Sequence, residues 1–181
     1  MAGLLPQQAT SAIVVALAFA PAQAARMRIP RGFGFVVPQV LGGERASHQL
    51  LACTFVHQKF PGRVPEGATL LRAFFGSQSA DALLGETDDK LIESARLQLS
   101  RVLGPLPEAL ETVVRRWPHS MPQYAVGHLA RMTELESLLS ATPGLHLVGS
   151  AYHGVGLPDL IRQGRTTARL LAGQTHPALS S

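Results

Sequence analysis

The stretch "GLHLVGSAYHGVGLPDLIRQGRTTARLL", residues 144–171, joins three kinds of local sequence. An apolar run at 145–148 predicts a β-strand, the glycines after it predict a turn, and residues 158–171 predict a helix. Because the first N–H groups of a helix have no partners within it, such a turn can bind a phosphate or another electron-rich group. The dinucleotide fingerprint G-x-G-x-x-G is incomplete, since no third glycine follows Gly154 and Gly156 at the required spacing.

Main-chain binding of a flat ligand is the chemistry that this turn predicts. The N–H groups of Val155, Gly156 and Leu157 would stand at the helix start, with the positive end of the helix dipole behind them. Gly149 would let the backbone approach a ligand closely, and Trp117, the only tryptophan, could cover a ring. The alternative is a plain strand–helix turn with a tryptophan in the core.

The composition limits the classes of function. The 181 residues are 46% hydrophobic and 15% charged, with a formal net charge of +4. The basic residues are scattered, so we expect no nucleic-acid partner. A single cysteine, Cys53, permits neither an internal disulfide nor a zinc cluster, which suits a reducing compartment, and its apolar surroundings predict a buried, inert thiol.

No acid–base or metal site is predicted. The seven histidines show no metal-ligand spacing, and we expect them on the surface or in loops. Ser150 does not lie in a G-x-S-x-G elbow. We therefore assign neither a catalytic residue nor a metal ligand.

The first 142 residues predict strands followed by helices. "AIVVALAFAPAQAA" (12–25) reads as a buried strand or as a signal peptide that lacks a positive n-region. An antiparallel meander is predicted from the runs at 33–37, 50–56 and 69–75. A helix capped by Thr87 and stopped by Gly104 follows, then a short strand at 112–114, a loop bracketed by Pro118 and Pro122, and a helix at 126–139. The fold class is α/β or α+β.

Four blocks of sequence, in order along nearly the whole chain, resemble protoporphyrinogen oxidases of the flavin amine oxidase superfamily. They are "GFGFVVP" (32–38), "FPGRVPEG" (60–67), "RRWPHSMPQYAVGH" (115–128) and "GSAYHGVGLPDLIRQGRTTA" (149–168). The M-P-Q-Y-x-V-G-H block separates the resemblance from ordinary amine oxidases. In that family the apolar run at 11–19 is an internal sheet strand, which favours the strand over the signal peptide.

The resemblance implies an activity. The family oxidises protoporphyrinogen IX to protoporphyrin IX in heme biosynthesis, with FAD and with oxygen or another electron acceptor. Hydride passes from a bridging methylene of the porphyrinogen to flavin N5. A coproporphyrinogen III oxidase, another flavin amine oxidase and a non-catalytic binding module stay open as alternatives.

The resemblance also assigns residues to the site. Backbone at 155–157 would meet the pyrimidine end of the flavin, and 149–150 would lie beside the ribityl chain. The implied flavin contacts are Trp117, Gly149, Ser150, Val155, Gly156 and Leu157. The implied substrate contacts are Phe55 and Val36.

The family's Rossmann fingerprint is missing from this chain, so we expect the C-terminal part of such an enzyme. Residues 1–142 would belong to the substrate-binding region, 143–173 would form the closing strand and helix of the FAD domain, and 174–181 a tail. We expect the chain alone to bind FAD weakly and to be inactive. The implied partners are a porphyrinogen, an electron acceptor and the missing FAD-binding half, in the cytoplasm. Peripheral membrane contact and a homodimer stay open.

Overall fold

A computed structural model describes residues 2–6, 8–38 and 48–174 of the chain. Two compact units are present: Thr10–Ser120, which we name the sheet unit, and Met1–Ala9 with Met121–Ser181, which we name the C-terminal unit. The functional division expected between residues 142 and 143 stays a prediction. The expected tail lies, from residue 175 onward, outside the described residues.

Five strands form one sheet in the order β2-β3-β4-β1-β5. They are β1 (Ala9–Phe19), β2 (Gly34–Val36), β3 (Ala52–Phe55), β4 (Thr69–Gly76) and β5 (Glu111–Pro122). The pairs β1–β4, β2–β3 and β3–β4 are antiparallel. The predicted antiparallel sheet and the predicted strand at 11–19 are confirmed, and that strand is flanked by neighbours on both sides.

The helices follow the order of the predicted elements. They are α1 (Pro21–Ala24), α2 (Val56–Lys59), α3 (Ser77–Leu83), α4 (Asp88–Leu103), α5 (His128–Ser140) and α6 (Leu157–Gln174), after a 3₁₀ turn at Ala2–Leu4. Among the described residues, no helix combines the length and the apolar character needed to cross a membrane.

One face of the sheet and α4 build the core of the sheet unit. Because side chains alternate along a strand, Ile13 and Leu17 of β1 share a face with their partners Phe75 and Leu71 of β4. All four are at most 1% exposed. They pack in one cluster with residues of α4, among them Leu99. Full burial of each such side chain stabilises the fold by about 1.5–3 kcal/mol.

The ends of α4 are confirmed where the sequence predicted them. The Thr87 hydroxyl accepts a hydrogen bond from the Lys90 N–H at 3.4 Å, so the side chain caps the first turn. Gly104 follows the last residue with φ +80°, a conformation that other residues rarely adopt, and the helix stops there.

The predicted loop between Pro118 and Pro122 is wrong, because β5 continues through both prolines. Among the strands of the described ranges, β5 is the last of the sheet and has one neighbour, β1. Proline lacks an N–H group, and an edge strand tolerates it because one side of its backbone needs no partner. His119, within the strand, has a φ of +46°, which residues other than glycine rarely adopt.

Two further predictions in the C-terminal unit are corrected. Residues 145–148 form no strand, since none of the strands in the described ranges pairs with them, and Leu145 and Val148 are more than two-fifths exposed. Helix α5 begins at His128 rather than at 126, because Gly127 takes a left-handed conformation (φ +82°) at its N-cap.

Candidate functional site

The predicted turn forms a loop that leads directly into α6. We name residues 149–156 the glycine loop. Gly149 and Gly154 have φ values of +140° and +82°, which other residues rarely adopt. The Tyr152 N–H donates to the Gly149 carbonyl at 3.2 Å, and the Gly156 carbonyl accepts from the first turn of α6. The loop is therefore an ordered turn whose shape depends on glycine.

Asp159 explains why glycine occupies two positions of this loop. A Cβ atom on either Gly154 or Gly156 would lie 3.1 Å from the Asp159 carboxylate oxygen Oδ2. That carboxylate pairs with Arg162 at 2.9 Å on the same helix. A side chain at either glycine would displace the carboxylate, so glycine at both positions lets the Asp159 side chain lie against the loop.

Backbone donors stand free at the start of α6. The N–H groups of Val155, Gly156 and Leu157 donate to no acceptor within the part of the chain that the structure describes. The side chains of Val155 and Leu157 are 58% and 73% exposed. Because free N–H groups and the helix dipole both favour negative charge, the segment suits a ligand edge that carries carbonyl oxygens.

Two aromatic side chains hold the glycine loop by its carbonyl groups. The Tyr124 hydroxyl donates to the Ser150 carbonyl at 2.5 Å, and the His128 Nε2 atom lies 2.8 Å from the Tyr152 carbonyl. The two rings stack with centroids 3.8 Å apart and an interplanar angle of 8°. His128 is 6% exposed, so the expectation that the histidines lie on the surface or in loops is wrong for this residue.

Helices α5 and α6 hold the loop at two further points. The Gln163 side chain accepts from the Gly149 N–H at 3.3 Å and donates to the His153 carbonyl. The His153 imidazole lies 2.9 Å from the carboxylate of Glu136 on α5. The loop is thus fixed at Gly149, Ser150, Tyr152 and His153, before the free N–H groups begin.

Trp117 lies in the sheet unit and is 44% exposed, so it is not a core tryptophan. Its neighbour Arg116 donates to the Asp88 carboxylate at 2.6 Å, at the start of α4. Because side chains alternate along β5, Trp117 lies on the face opposite to α4. Its assignment as a flavin contact stays a prediction.

The two predicted substrate contacts lie on opposite faces of the sheet. Val36 pairs with Ala52 across β2 and β3 and is 74% exposed. Phe55, three residues further along β3, is 1% exposed, and its ring packs edge-on against Phe35 with centroids 6.1 Å apart. The structure does not bring Val36 and Phe55 together, and both roles stay predictions.

Two shifted pKa values in the sheet unit, those of Cys53 and His57, are caused by burial. Burial raises the pKa of the Cys53 thiol to about 12, so the thiol stays protonated and unreactive, as the sequence predicted. Burial also lowers the pKa of His57, which favours its neutral form. Among the described residues, no group of three or more His, Cys, Asp or Glu side chains is placed to hold a metal ion.

Sequence reasoning missed Tyr124 and His128 as site residues. The block "YAVGH" contains both residues, four positions apart, but their spacing does not show what they contact. Both act on backbone more than twenty residues later in the chain, and no local pattern reveals such a contact.

A family model described as flavin containing amine oxidoreductase matches residues 2–172. The chain belongs to this family. The resemblance expected from the four sequence blocks is confirmed, and so is the class of oxidoreductase flavoproteins. Membership of the flavin amine oxidoreductases implies a flavin cofactor.

Relatives within the flavin amine oxidoreductases carry two names. A coproporphyrinogen III oxidase of Bacillus subtilis (strain 168) is 39% identical over 157 residues, which are 86% of this chain and 32% of the relative. A chloroplastic protoporphyrinogen oxidase of Nicotiana tabacum is 30% identical over 70% of this chain and 23% of the relative. The chain therefore spans about a third, or less, of the length of these relatives.

A solved structure supports the fold of this flavin amine oxidoreductase chain. The crystal structure of a presumed protoporphyrinogen oxidase from Exiguobacterium sp. 255-15 matches with a TM-score of 0.75 and 31% identity. The match covers 93% of this chain and 36% of that protein.

Proposed function

We propose that this chain forms part of an FAD-dependent enzyme that oxidises a porphyrinogen to a porphyrin in heme biosynthesis. The names of the relatives support the reaction class. The observation that carries the proposal is the row of free N–H groups at residues 155–157, at the start of α6, in a chain of a flavin family. Such a row serves a cofactor edge with carbonyl oxygens.

Of the two candidate substrates, we propose coproporphyrinogen III. The sequence blocks alone favoured protoporphyrinogen IX. The identity to a coproporphyrinogen III oxidase is higher and extends over more of the chain, 39% over 157 residues against 30% over 131. Protoporphyrinogen IX is the second candidate, and a direct comparison of the two substrates decides between them.

The residues present fit a flavin. A side chain at Gly154 or Gly156 would displace the Asp159 carboxylate from the loop, and the three backbone donors at residues 155–157 have no acceptor within the described chain. We propose that Val155, Gly156 and Leu157 bind the pyrimidine end of the flavin. Gly149 and Ser150 would lie along the ribityl chain, and Trp117 would contact the flavin. When bound, the flavin supplies the two-electron acceptor for each oxidation.

This chain contributes position and electrostatics rather than acid–base chemistry. Fixed N–H groups stabilise negative charge on a cofactor edge without reorganising, because the turn already holds them in place. Val36 and Phe55 are the proposed substrate contacts, which would orient the macrocycle. We assign no general acid or base to the chain.

A chimera tests the proposal directly. The matching 157-residue segment of the Bacillus subtilis relative is replaced by this chain, and the unaltered relative serves as the positive control. We expect a yellow protein that oxidises coproporphyrinogen III faster than protoporphyrinogen IX, measured by porphyrin fluorescence. A folded chimera that binds no flavin, or that binds flavin and oxidises neither porphyrinogen, contradicts the proposal.

The chain by itself should bind FAD weakly. The proposed contacts are a few backbone donors and one tryptophan, and no dinucleotide fingerprint is present to hold the pyrophosphate. Titration of the 181-residue chain with FAD, followed by flavin fluorescence, should show no stoichiometric complex at micromolar concentrations. A tight yellow complex of the chain alone would overturn this part of the proposal.

We propose a cytoplasmic location, with oxygen or another acceptor as the final oxidant.

A further inference from the structure

The turn between β5 and α5 holds Tyr124 and His128 in one fixed arrangement. The left-handed Gly127 reverses the chain, and the His128 N–H donates to the Ala125 carbonyl at 3.0 Å. The guanidinium of Arg131 donates to the Val126 carbonyl at 2.9 Å. Another residue at Gly127 would be strained at φ +82°, and its Cβ would lie 3.3 Å from that guanidinium, which would have to shift slightly.

The two aromatic side chains act as paired donors. A carbonyl oxygen only accepts hydrogen bonds, so the His128 Nε2 atom carries the proton that bonds to the Tyr152 carbonyl. The stacked rings fix each other's orientation, and His128 has almost no exposed surface. Neither donor can swing away without breaking the stack.

The side-chain hydrogen bonds to the glycine loop all fall on its first five residues, 149–153. Its carbonyl groups at Gly149, Ser150, Tyr152 and His153 are all bonded within the chain. The N–H groups of residues 155–157 are bonded to nothing in the described ranges. The first N–H groups of any helix lack acceptors within it, and here they follow a loop whose carbonyl groups are held by side chains, so those side chains set the direction in which the N–H groups point.

We propose that Tyr124 and His128 are positioning residues for the flavin, a role that rests on the proposed function. They hold the glycine loop by its carbonyl groups so that its N–H groups face the cofactor in one conformation. Neither side chain touches the reacting atoms. Their loss should weaken flavin binding and loosen the loop while the rest of the chain stays folded.

Hydrogen exchange of the 181-residue chain tests the positioning without any flavin. Tyr124→Phe removes only the hydroxyl, and His128→Leu removes only the donor and the imidazole. We expect amide exchange in peptides covering residues 149–160 to accelerate about fivefold or more in each variant, the effect of one lost hydrogen bond. Exchange in β1 and β4 should stay unchanged.

Two further variants serve as controls. His128→Gln keeps an N–H donor near the position of Nε2, and it should bring exchange back to within about twofold of the wild type. Ser140→Ala removes a hydroxyl-to-carbonyl bond of 2.7 Å to Ser137 on the same helix, away from the glycine loop, and should have no effect on the loop.

Flavin affinity in the chimera is the second measurement. Tyr124→Phe and His128→Leu should raise the flavin Kd about five- to tenfold with an unchanged urea midpoint, and His128→Gln should stay within about twofold. Variants that shift the urea midpoint but leave loop exchange and Kd unchanged overturn the positioning role. A wild-type chimera that binds no flavin refutes the proposed function instead, because the exchange measurement does not depend on flavin.

Discussion

Helix α4 of the sheet unit and helix α6 of the C-terminal unit differ in how much of their surface is buried. In the sheet unit, α4 packs its apolar side into the core, and Leu99 is 0% exposed. In the C-terminal unit, α6 has no buried side chain among residues 157–173, and Leu170 is 52% exposed. The glycine loop before α6 is held instead by hydrogen bonds to its carbonyl groups. Burial therefore holds α4, whereas hydrogen bonds hold the glycine loop that precedes α6.

Matched leucine substitutions on α4 and α6 should show the largest difference in the free energy of unfolding. Leu99→Ala leaves a cavity in the core and should lower the free energy of unfolding by about 3 kcal/mol. Leu170→Ala removes an exposed side chain and should change it by less than about 0.5 kcal/mol. Urea unfolding followed by far-UV circular dichroism measures both. Equal costs would show that α6 is packed as tightly as α4.

Two glycine substitutions within the C-terminal unit should show a smaller difference in the free energy of unfolding. Gly154→Ala forces an alanine into φ +82° and places its Cβ 3.1 Å from the Asp159 carboxylate, at a cost of about 1–2 kcal/mol. Gly164→Ala, within α6 and in open space, should stabilise the helix by about 0.5–1 kcal/mol. Hydrogen exchange across residues 149–174 reports both changes. Exchange that is slowed by Gly154→Ala would contradict the strain argument.

The smallest expected effect is the pH dependence of stability that the buried Cys53 thiol causes in the sheet unit. The pKa of Cys53 rises from its ordinary value of 9.0 to about 12 in the folded chain. Between these two pKa values the folded chain keeps a thiol proton that the unfolded chain loses. The contribution of Cys53 to the free energy of unfolding is therefore fully present below pH 9 and declines as the pH rises toward 12. By pH 10 the loss should be about 1 kcal/mol relative to neutral pH.

Cys53→Ala supplies the control for that titration. The variant is less stable at every pH because of its smaller side chain, but it should lack the additional loss between pH 9 and pH 10. Fluorescence of Trp117, the only tryptophan, follows unfolding of the sheet unit specifically. Parallel pH profiles of the two proteins would show that water reaches the thiol in the folded state.

The elements that the sequence predicted best are those with a complete local signal. β1 and β4 are buried strands rich in apolar residues, and α4 has both a cap and a stop in its sequence. The length of β5 was not predictable from its two prolines, because their tolerance depends on the strand's place at the edge. The run at 145–148 has strand-like residues without a partner, and pairing decides whether such a run becomes a strand.

The sequence predicted the backbone turn of the candidate site but not the side chains that hold it, Tyr124 and His128. Glycines at 149, 154 and 156 indicated a turn with free donors, and the structure has that turn. Tyr124 and His128 reach it only through the folded chain, so their partners could not be inferred from spacing. The opposite faces of Val36 and Phe55 follow from the register of β2 and β3, which the sequence left open.

The prolines of β5 have a consequence for association between molecules. An outer strand with regular amide groups invites a strand of another molecule to add by backbone pairing, which leads to aggregation. Pro118 and Pro122 offer no amide hydrogen to an incoming strand, and the left-handed His119 interrupts the regular spacing between them. These features make β5 a poor template for the addition of a strand from another molecule.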